Sequence, residues 1–268
     1  LGTAIGLIIL LLVKRTNESK IVKMLSGFSI AFLAATILVN MGGTLYLRET
    51  PTWILALFLL LGCFIIAKSK EYSLKRTLFL LFCYSIFMIV LGSIFLTKEA
   101  GMENIYPLFY FDYKGILYGA LLYVLTSVTP ILALNDIKDK KAVVSNYLMS
   151  SLSVIVISLL IMLVLGNKEA MLYRYPEYVL LKRIKISEFF SNVDNIFVDL
   201  LVTISTGIRN FSVNGKYVQY ILPVCLFFLV SYVSHNGFVM VALYYYFPIL
   251  LGILLFLTLI PKKKQYKK

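Results

Sequence analysis

Over 268 residues, 60% of the side chains are hydrophobic and only 15% are charged, whereas a soluble domain carries about 45–50% and 25%. That balance excludes an ordinary soluble domain, and no polar interval is long enough to hold a separate one. The formal net charge of +13 would point to nucleic acid in a soluble protein, but cytoplasmic loops of membrane proteins collect Lys and Arg, so no nucleic-acid partner is expected.

Nine apolar segments follow along the chain, at about 1–13, 24–47, 51–67, 77–97, 115–134, 142–166, 193–211, 219–234 and 238–260. They are mostly longer than the roughly 10-residue strands of a membrane barrel and do not alternate polar with apolar. They are therefore predicted to be helices whose backbone groups pair internally, giving an all-α polytopic membrane protein with one transmembrane domain over 1–268. The first run, Leu1 to Val13, lacks the basic start and the small-residue cleavage site of a signal peptide. It is also short for a span of about 20 residues, and a stretch of chain before it is expected. The last run passes directly into Lys262, Lys263, Lys264, Lys267 and Lys268, a stop-transfer flank suited to anionic lipid. Cys63, Cys83 and Cys225 each lie inside an apolar run and read as small buried apolar residues, not a disulfide framework or a metal site.

The basic residues orient the chain. Eighteen of the 26 lie in the intervals after the first, third, fifth and seventh segments and in the tail; eight lie in the other intervals. The alternation predicts a cytoplasmic C-terminus. Five of the eight sit in the interval 167–192, which becomes an extracytoplasmic loop. There Val179, Leu180, Ile184 and Phe190 are interleaved with charges, as in a helix lying on the membrane or capping a cavity. A plain amphipathic connector gives the same pattern.

Polar groups in hydrocarbon are costly, so their placement carries information. The seventh segment carries Asp199, Thr203, Thr206 and Asn210 at spacings of 4, 3 and 4, one helix face, with Gly207 beside it. The second carries Ser29, Thr36, Asn40 and Gly43, again on one face. The fifth carries Gly115, Gly119, Tyr123, Ser127 and Pro130 along one side, with Thr126 and Thr129 adjacent. Two readings stay open: a polar pocket for the ammonium and carboxylate of a small zwitterion, or interhelical contacts through small and hydroxyl residues. Pro130 removes a backbone hydrogen bond to residue 126, which Thr126, Ser127 and Thr129 are placed to re-satisfy, as in a discontinuous transporter helix or a simple kink. Asp199 is a candidate for a coupling proton or cation, and equally for an interfacial or lysine-paired acid. No nucleophile–base set, Gly-rich phosphate loop or metal spacing is visible, and His235 stands alone in a His-Asn-Gly turn. Neither an enzyme nor a cofactor is expected.

The stretch from Tyr175-Pro176 through Lys182-Arg183-Ile184-Lys185-Ile186 to Phe189-Phe190, Val193-Asp194 and Ile196-Phe197 resembles the endospore germination permeases, the GerAB-type subunits of nutrient germinant receptors. Thr50-Pro51-Thr52-Trp53 and Leu134-Asn135-Asp136 with its following basic residues are similar to the family too. The resemblance implies the amino-acid/polyamine/organocation transporter fold, ten helices in two inverted repeats, with the first helix lacking here. The second, fifth and seventh segments would be the family's third, sixth and eighth helices. The chain departs from the family where Thr36 to Asn40 carries no charge, where Asn192 replaces the common arginine, and in a less glycine-rich sixth helix.

The resemblance implies a membrane subunit of a spore nutrient germinant receptor, in the cell membrane or spore inner membrane. It would bind a small nutrient, an amino acid, through Thr36, Asn40, Tyr123, Ser127, Thr203, Thr206 and Asn210, and act with other receptor subunits in the bilayer. A proton- or cation-coupled amino-acid transporter of the same fold, centred on Asp199, is the first alternative. An ion-conducting or structural subunit without a ligand site is the second.

Overall fold

The computed structural model describes residues 1–13, 20–97, 100–105, 113–134, 140–173, 175–183, 193–211 and 218–259. Among them every apolar segment forms helix and no strand occurs. Helix α1 spans Gly2–Leu12, α2 Lys20–Met41, α3 Thr52–Ala67, α4 Glu71–Leu96, α5 Tyr113–Leu134 and α6 Lys140–Leu172. They are followed by α7 at Pro176–Arg183, α8 at Val193–Phe211, α9 at Val218–His235, α10 at Val239–Val241 and α11 at Phe247–Leu259. A π-helical stretch, Gly42–Tyr46, prolongs α2, and a second, Ala242–Tyr246, joins α10 to α11.

The chain is an all-α polytopic membrane protein. Stretches of α2, α4, α5 and α6 are long and apolar enough to cross a membrane, and α1, α3, α9 and α11 are shorter apolar helices. Helix α8 belongs to neither group, because it is the one that carries Asp194, Asp199 and Arg209. Local chemistry sets several helix ends. Pro51 precedes α3 and Pro176 opens α7, where a missing N–H costs nothing. Gly237, at φ 67, follows the last turn of α9 and lets the Phe238 amide donate to the Val233 carbonyl at 3.1 Å, a left-handed stop that glycine takes without penalty.

Two compact units emerge from the chain. The first comprises residues 1–74, 118–147 and 200–268. In it α2 packs against α3, α9 and α11, and α3 against α9. Helix α1 lies on α5 and the start of α6 through Leu10, Val13, Val124, Val128, Leu132, Val143 and Tyr147. The Tyr147 hydroxyl donates to the Thr3 carbonyl at 3.1 Å, directly over Gly6, where any side chain would collide with the ring.

The second unit comprises residues 75–117 and 148–199. Its described core is Leu96, Val164, Leu165 and Leu180, with Val179 packed alongside. The amphipathic α7 therefore seats its apolar side on the ends of α4 and α6. Gly166 breaks α6 at φ 74, ψ 164. One turn before it, the Leu163 carbonyl accepts from the Asn104 side-chain amide at 2.8 Å and from the Gly101 amide at 3.1 Å.

Two expectations change. Cys63 is buried, but Cys83 and Cys225 are exposed on their helices, because uniformly apolar runs do not reveal which side faces protein and which faces lipid. At Pro130 the hydroxyls do not turn to the freed carbonyl of residue 126. Thr126 donates to the Leu122 and Tyr123 carbonyls, Ser127 donates to Tyr123, and the buried Thr129 hydroxyl has no partner among the described residues. The basic tail from Lys262, Asn135 and Asp136, Ile184 to Phe190 and Asn192 lie outside the described residues.

Candidate functional site

Helix α8 carries a polar face, Thr203, Thr206 and Asn210, whose spacing survives in three dimensions. Thr203, Thr206 and Asn210 each keep part of their surface accessible, as does Asp199 one turn earlier. Across the same helix Ile204, Ser205 and Ile208 are buried. Gly207 marks where α8 meets α2: a Cβ there would lie 2.7 Å from the Gly27 carbonyl oxygen and 2.8 Å from the Ala31 Cβ. The close approach of two backbones through small residues anchors α8 and leaves its polar stripe at the edge of the contact.

Helix α2 presents a different face to that contact. Thr36 follows Gly27, and Asn40 follows Ala31, by nine residues, which at about 100° per residue places each about 180° around the helix from its counterpart. They are buried, with Thr36 at 0% and Asn40 at 9% exposure. The same side carries Phe32, whose ring centroid is 5.0 Å from that of Phe247 in α11, and Gly43, which faces Leu55 and Thr52 of α3. The Thr36 hydroxyl donates to the Phe32 carbonyl at 2.8 Å and Thr44 to the Asn40 carbonyl at 2.8 Å. The structure thus brings α2 and α8 together through the Gly27–Ala31 face, with Thr36 and Asn40 on the other side of α2.

On α5, Tyr123 packs against the α1–α5–α6 cluster, and its Cβ lies 3.1 Å from where a side chain on Gly2 would begin. Ser127 is half-buried and donates to the Tyr123 carbonyl at 2.6 Å. The seven expected lining residues all fall in the first unit, on three faces: Thr203, Thr206 and Asn210 accessible on α8, Thr36 and Asn40 within the α2 packing, and Tyr123 and Ser127 beside α1.

Asp199 belongs to the second unit, where Ser85 of α4 donates to its carboxylate at 3.1 Å. Sequence reasoning missed Ser85, since one serine in an apolar helix carries no spacing signal. It also missed Gly27, the partner of a glycine it had noticed.

Chemically, the α8 stripe offers acceptors and one amide. The Thr206 hydroxyl spends its proton on the Thr203 carbonyl at 2.8 Å, leaving lone pairs outward, and Asn210 supplies both N–H donors and a carbonyl. Comparison with known families matches residues 21–216 to one described as spore germination protein, a span that contains all eight residues above. Comparison with curated proteins and with solved structures returns no match.

Proposed function

The chain belongs to the spore germination protein family, a transporter- or receptor-type family of membrane proteins, and from that premise we propose that it is the membrane subunit of a nutrient germinant receptor. Its ligand is a small nutrient, an amino acid, held on the polar face of α8 by Thr203, Thr206 and Asn210. Tyr123 and Ser127 of α5 and Thr36 and Asn40 of α2 lie on other faces of the same unit and serve the packing of their own helices. Binding favours one arrangement of the helices over another and signals to other receptor subunits, a shift limited by the difference in affinity between the two states. The protein sits in the spore's inner membrane with its C-terminus in the cytoplasm.

One observation carries this reading: the polar residues of α8 stay accessible while the opposite side of the same helix is buried. Against lipid such a stripe would be expensive; lining a polar space, it is not. Spores carrying the Thr203→Leu, Asn210→Leu double variant test it by their germination response to a panel of amino acids. The required nutrient concentration should rise about a hundredfold or more, the two lost hydrogen bonds to charged ligand groups together being worth about 3–6 kcal/mol. A normal response at a normal protein level would overturn the pocket and favour a structural or ion-conducting subunit.

The pairing of Asp199 with Ser85 favours a second reading, a proton- or cation-coupled amino-acid transporter. Uptake into proteoliposomes that collapses with the ion gradient, and is lost in Asp199→Asn, would support it over the receptor.

A further inference from the structure

Between α3 and α9 runs an apolar groove of about 360 Å³ that includes Leu57, Leu61 and Phe64 on one side and Tyr220, Pro223 and Val224 on the other. Pro223 has no N–H to close the helical bond to residue 219, which loosens α9 where the groove passes. The α3 residues that line it run from 57 to 64, about 10 Å along the helix axis. The groove walls are apolar side chains along this whole length, which suits a hydrocarbon chain.

One end of the groove is charged. The Lys68 ammonium lies 4.3 Å from the ring centroid of Phe64 and 5.3 Å from that of Tyr220, both of them groove-lining rings. Lys70 is exposed two residues on, and the Arg209 guanidinium donates to the Ser69 carbonyl. Against these three cations the local sequence sets Glu71. At the far end of the same helix pair, Trp53, Tyr232 and His235 line a second hollow, the amphipathic rings expected at a membrane interface. From Lys68 to Leu57 is about 16 Å along α3, and from Lys68 to Trp53 about 22 Å. The groove thus runs from the Lys68 end past the middle of the helix, a length an acyl chain can follow, starting on the side that the basic residues mark as cytoplasmic.

We propose that this groove binds an anionic phospholipid of the cytoplasmic leaflet, with one acyl chain between α3 and α9 and the phosphate against Lys68. The apolar walls fit the chain, the cation fits the head, and the cytoplasmic leaflet is the one rich in anionic lipid. The site is separate from the α8 stripe and does not depend on what that stripe binds.

The test uses the full-length protein in nanodiscs containing a trace of phosphatidylglycerol, or of phosphatidylcholine, with a photoactivatable diazirine on its acyl chain. Cross-linked peptides are then mapped by mass spectrometry. Phosphatidylglycerol should label the α3 and α9 peptides about fivefold more than phosphatidylcholine, the effect of one cation near the surface. Lys68→Gln should remove the preference while leaving the phosphatidylcholine level, and Lys68→Arg should retain it. Leu61→Trp, which fills an exposed wall of the groove, should lower labelling by both lipids. Melting in detergent identifies any variant that fails to fold, and the wild-type difference between the two lipids at the α3 and α9 peptides then decides. Equal labelling by the two lipids in the wild type, labelling spread evenly over all exposed helices, or a preference that survives Lys68→Gln would each overturn the proposal. So would loss of labelling when partner subunits are co-expressed, since a polypeptide would then be the occupant.

Discussion

Gly207→Ala tests the contact that positions the candidate site. The new Cβ would lie 2.7 Å from the Gly27 carbonyl oxygen, 2.8 Å from the Ala31 Cβ and 3.0 Å from the Ala31 nitrogen. Two of those three atoms are backbone and have no rotamer by which to retreat. Carbon atoms settle at about 3.5–4.0 Å, so α2 and α8 must part by roughly 1 Å. Overpacking of this kind costs about 1–3 kcal/mol, against which alanine's better helix propensity returns about 0.8–1 kcal/mol. Gly119→Ala is the comparator: a Cβ at Gly119 meets nothing within 4 Å, so it keeps the propensity gain without the clash. The difference between the two variants is therefore the packing cost alone, about 1–3 kcal/mol. Thermal unfolding of the purified protein in detergent reads it, with Gly207→Ala melting several degrees below Gly119→Ala, at about 2–4 °C per kcal/mol for a chain of this size. If the two melt together, or Gly207→Ala melts higher, the close approach of α2 and α8 is wrong, and with it the placement of the stripe.

The second unit offers three more tests. Gly166 sits at φ 74, ψ 164, a region open essentially to glycine alone, so Gly166→Ala should cost about 1–3 kcal/mol in the same melting assay; an unchanged midpoint would remove the argument for strain. Burial pushes the Glu177 carboxyl above its ordinary range, outweighing the hydrogen bond from its own backbone, so the folded state favours the protonated form. The stability it contributes to α7 is present below the unfolded pKa of about 4.3 and lost as pH rises through the raised folded value. Hydrogen exchange at Val179 and Leu180, corrected for intrinsic rates, should show falling protection from acid toward neutral pH, and Glu177→Gln should flatten that trend; a variant that keeps the full slope assigns it to another group. Ser85→Ala removes a donor to the Asp199 carboxylate and should destabilise by about 1.5–3 kcal/mol, whereas Ser85→Thr should hold near wild type. Equal melting of both refutes a structural role for that bond.

How much of this was legible in the sequence differs from helix to helix for one physical reason. The existence and approximate limits of the apolar helices follow from length and hydropathy, because a backbone in lipid has to satisfy its own hydrogen bonds. Which way each helix faces does not follow. In a soluble protein the apolar side points inward and the sequence records it; a membrane helix is apolar toward lipid and protein alike. Cys63 and Cys83 stand in equally apolar runs, yet one is buried and the other exposed. The stripe Thr36, Asn40 and the stripe Thr203, Thr206, Asn210 have the same kind of spacing, yet the first is buried and the second keeps accessible surface. Gly27 was invisible for the same reason, since its role appears only once Gly207 comes to meet it. The family resemblance, carried by the stretch around residues 173–197, reached further than the physics did, and the match over 21–216 agrees with it.

The hydrogen bonds inside the stripes decide what they can offer a guest. Thr36 gives its proton to Phe32, Ser127 to Tyr123 and Thr206 to Thr203, each within its own helix. A hydroxyl used this way has lone pairs left and no proton, so it can receive a hydrogen bond but not give one. Partners for an ammonium are therefore plentiful, and partners for a carboxylate are not. On α8 the carboxylate end of a zwitterion has Asn210 to turn to, whose amide carries two N–H donors, one turn beyond Thr206. The ammonium would then lie toward Thr203 and Thr206, on the side of the stripe nearer Asp199. On the proposed function, this polarity makes the double variant at Thr203 and Asn210 the informative one: it would remove a partner for each end of the proposed nutrient, while the Gly207 contact is left untouched.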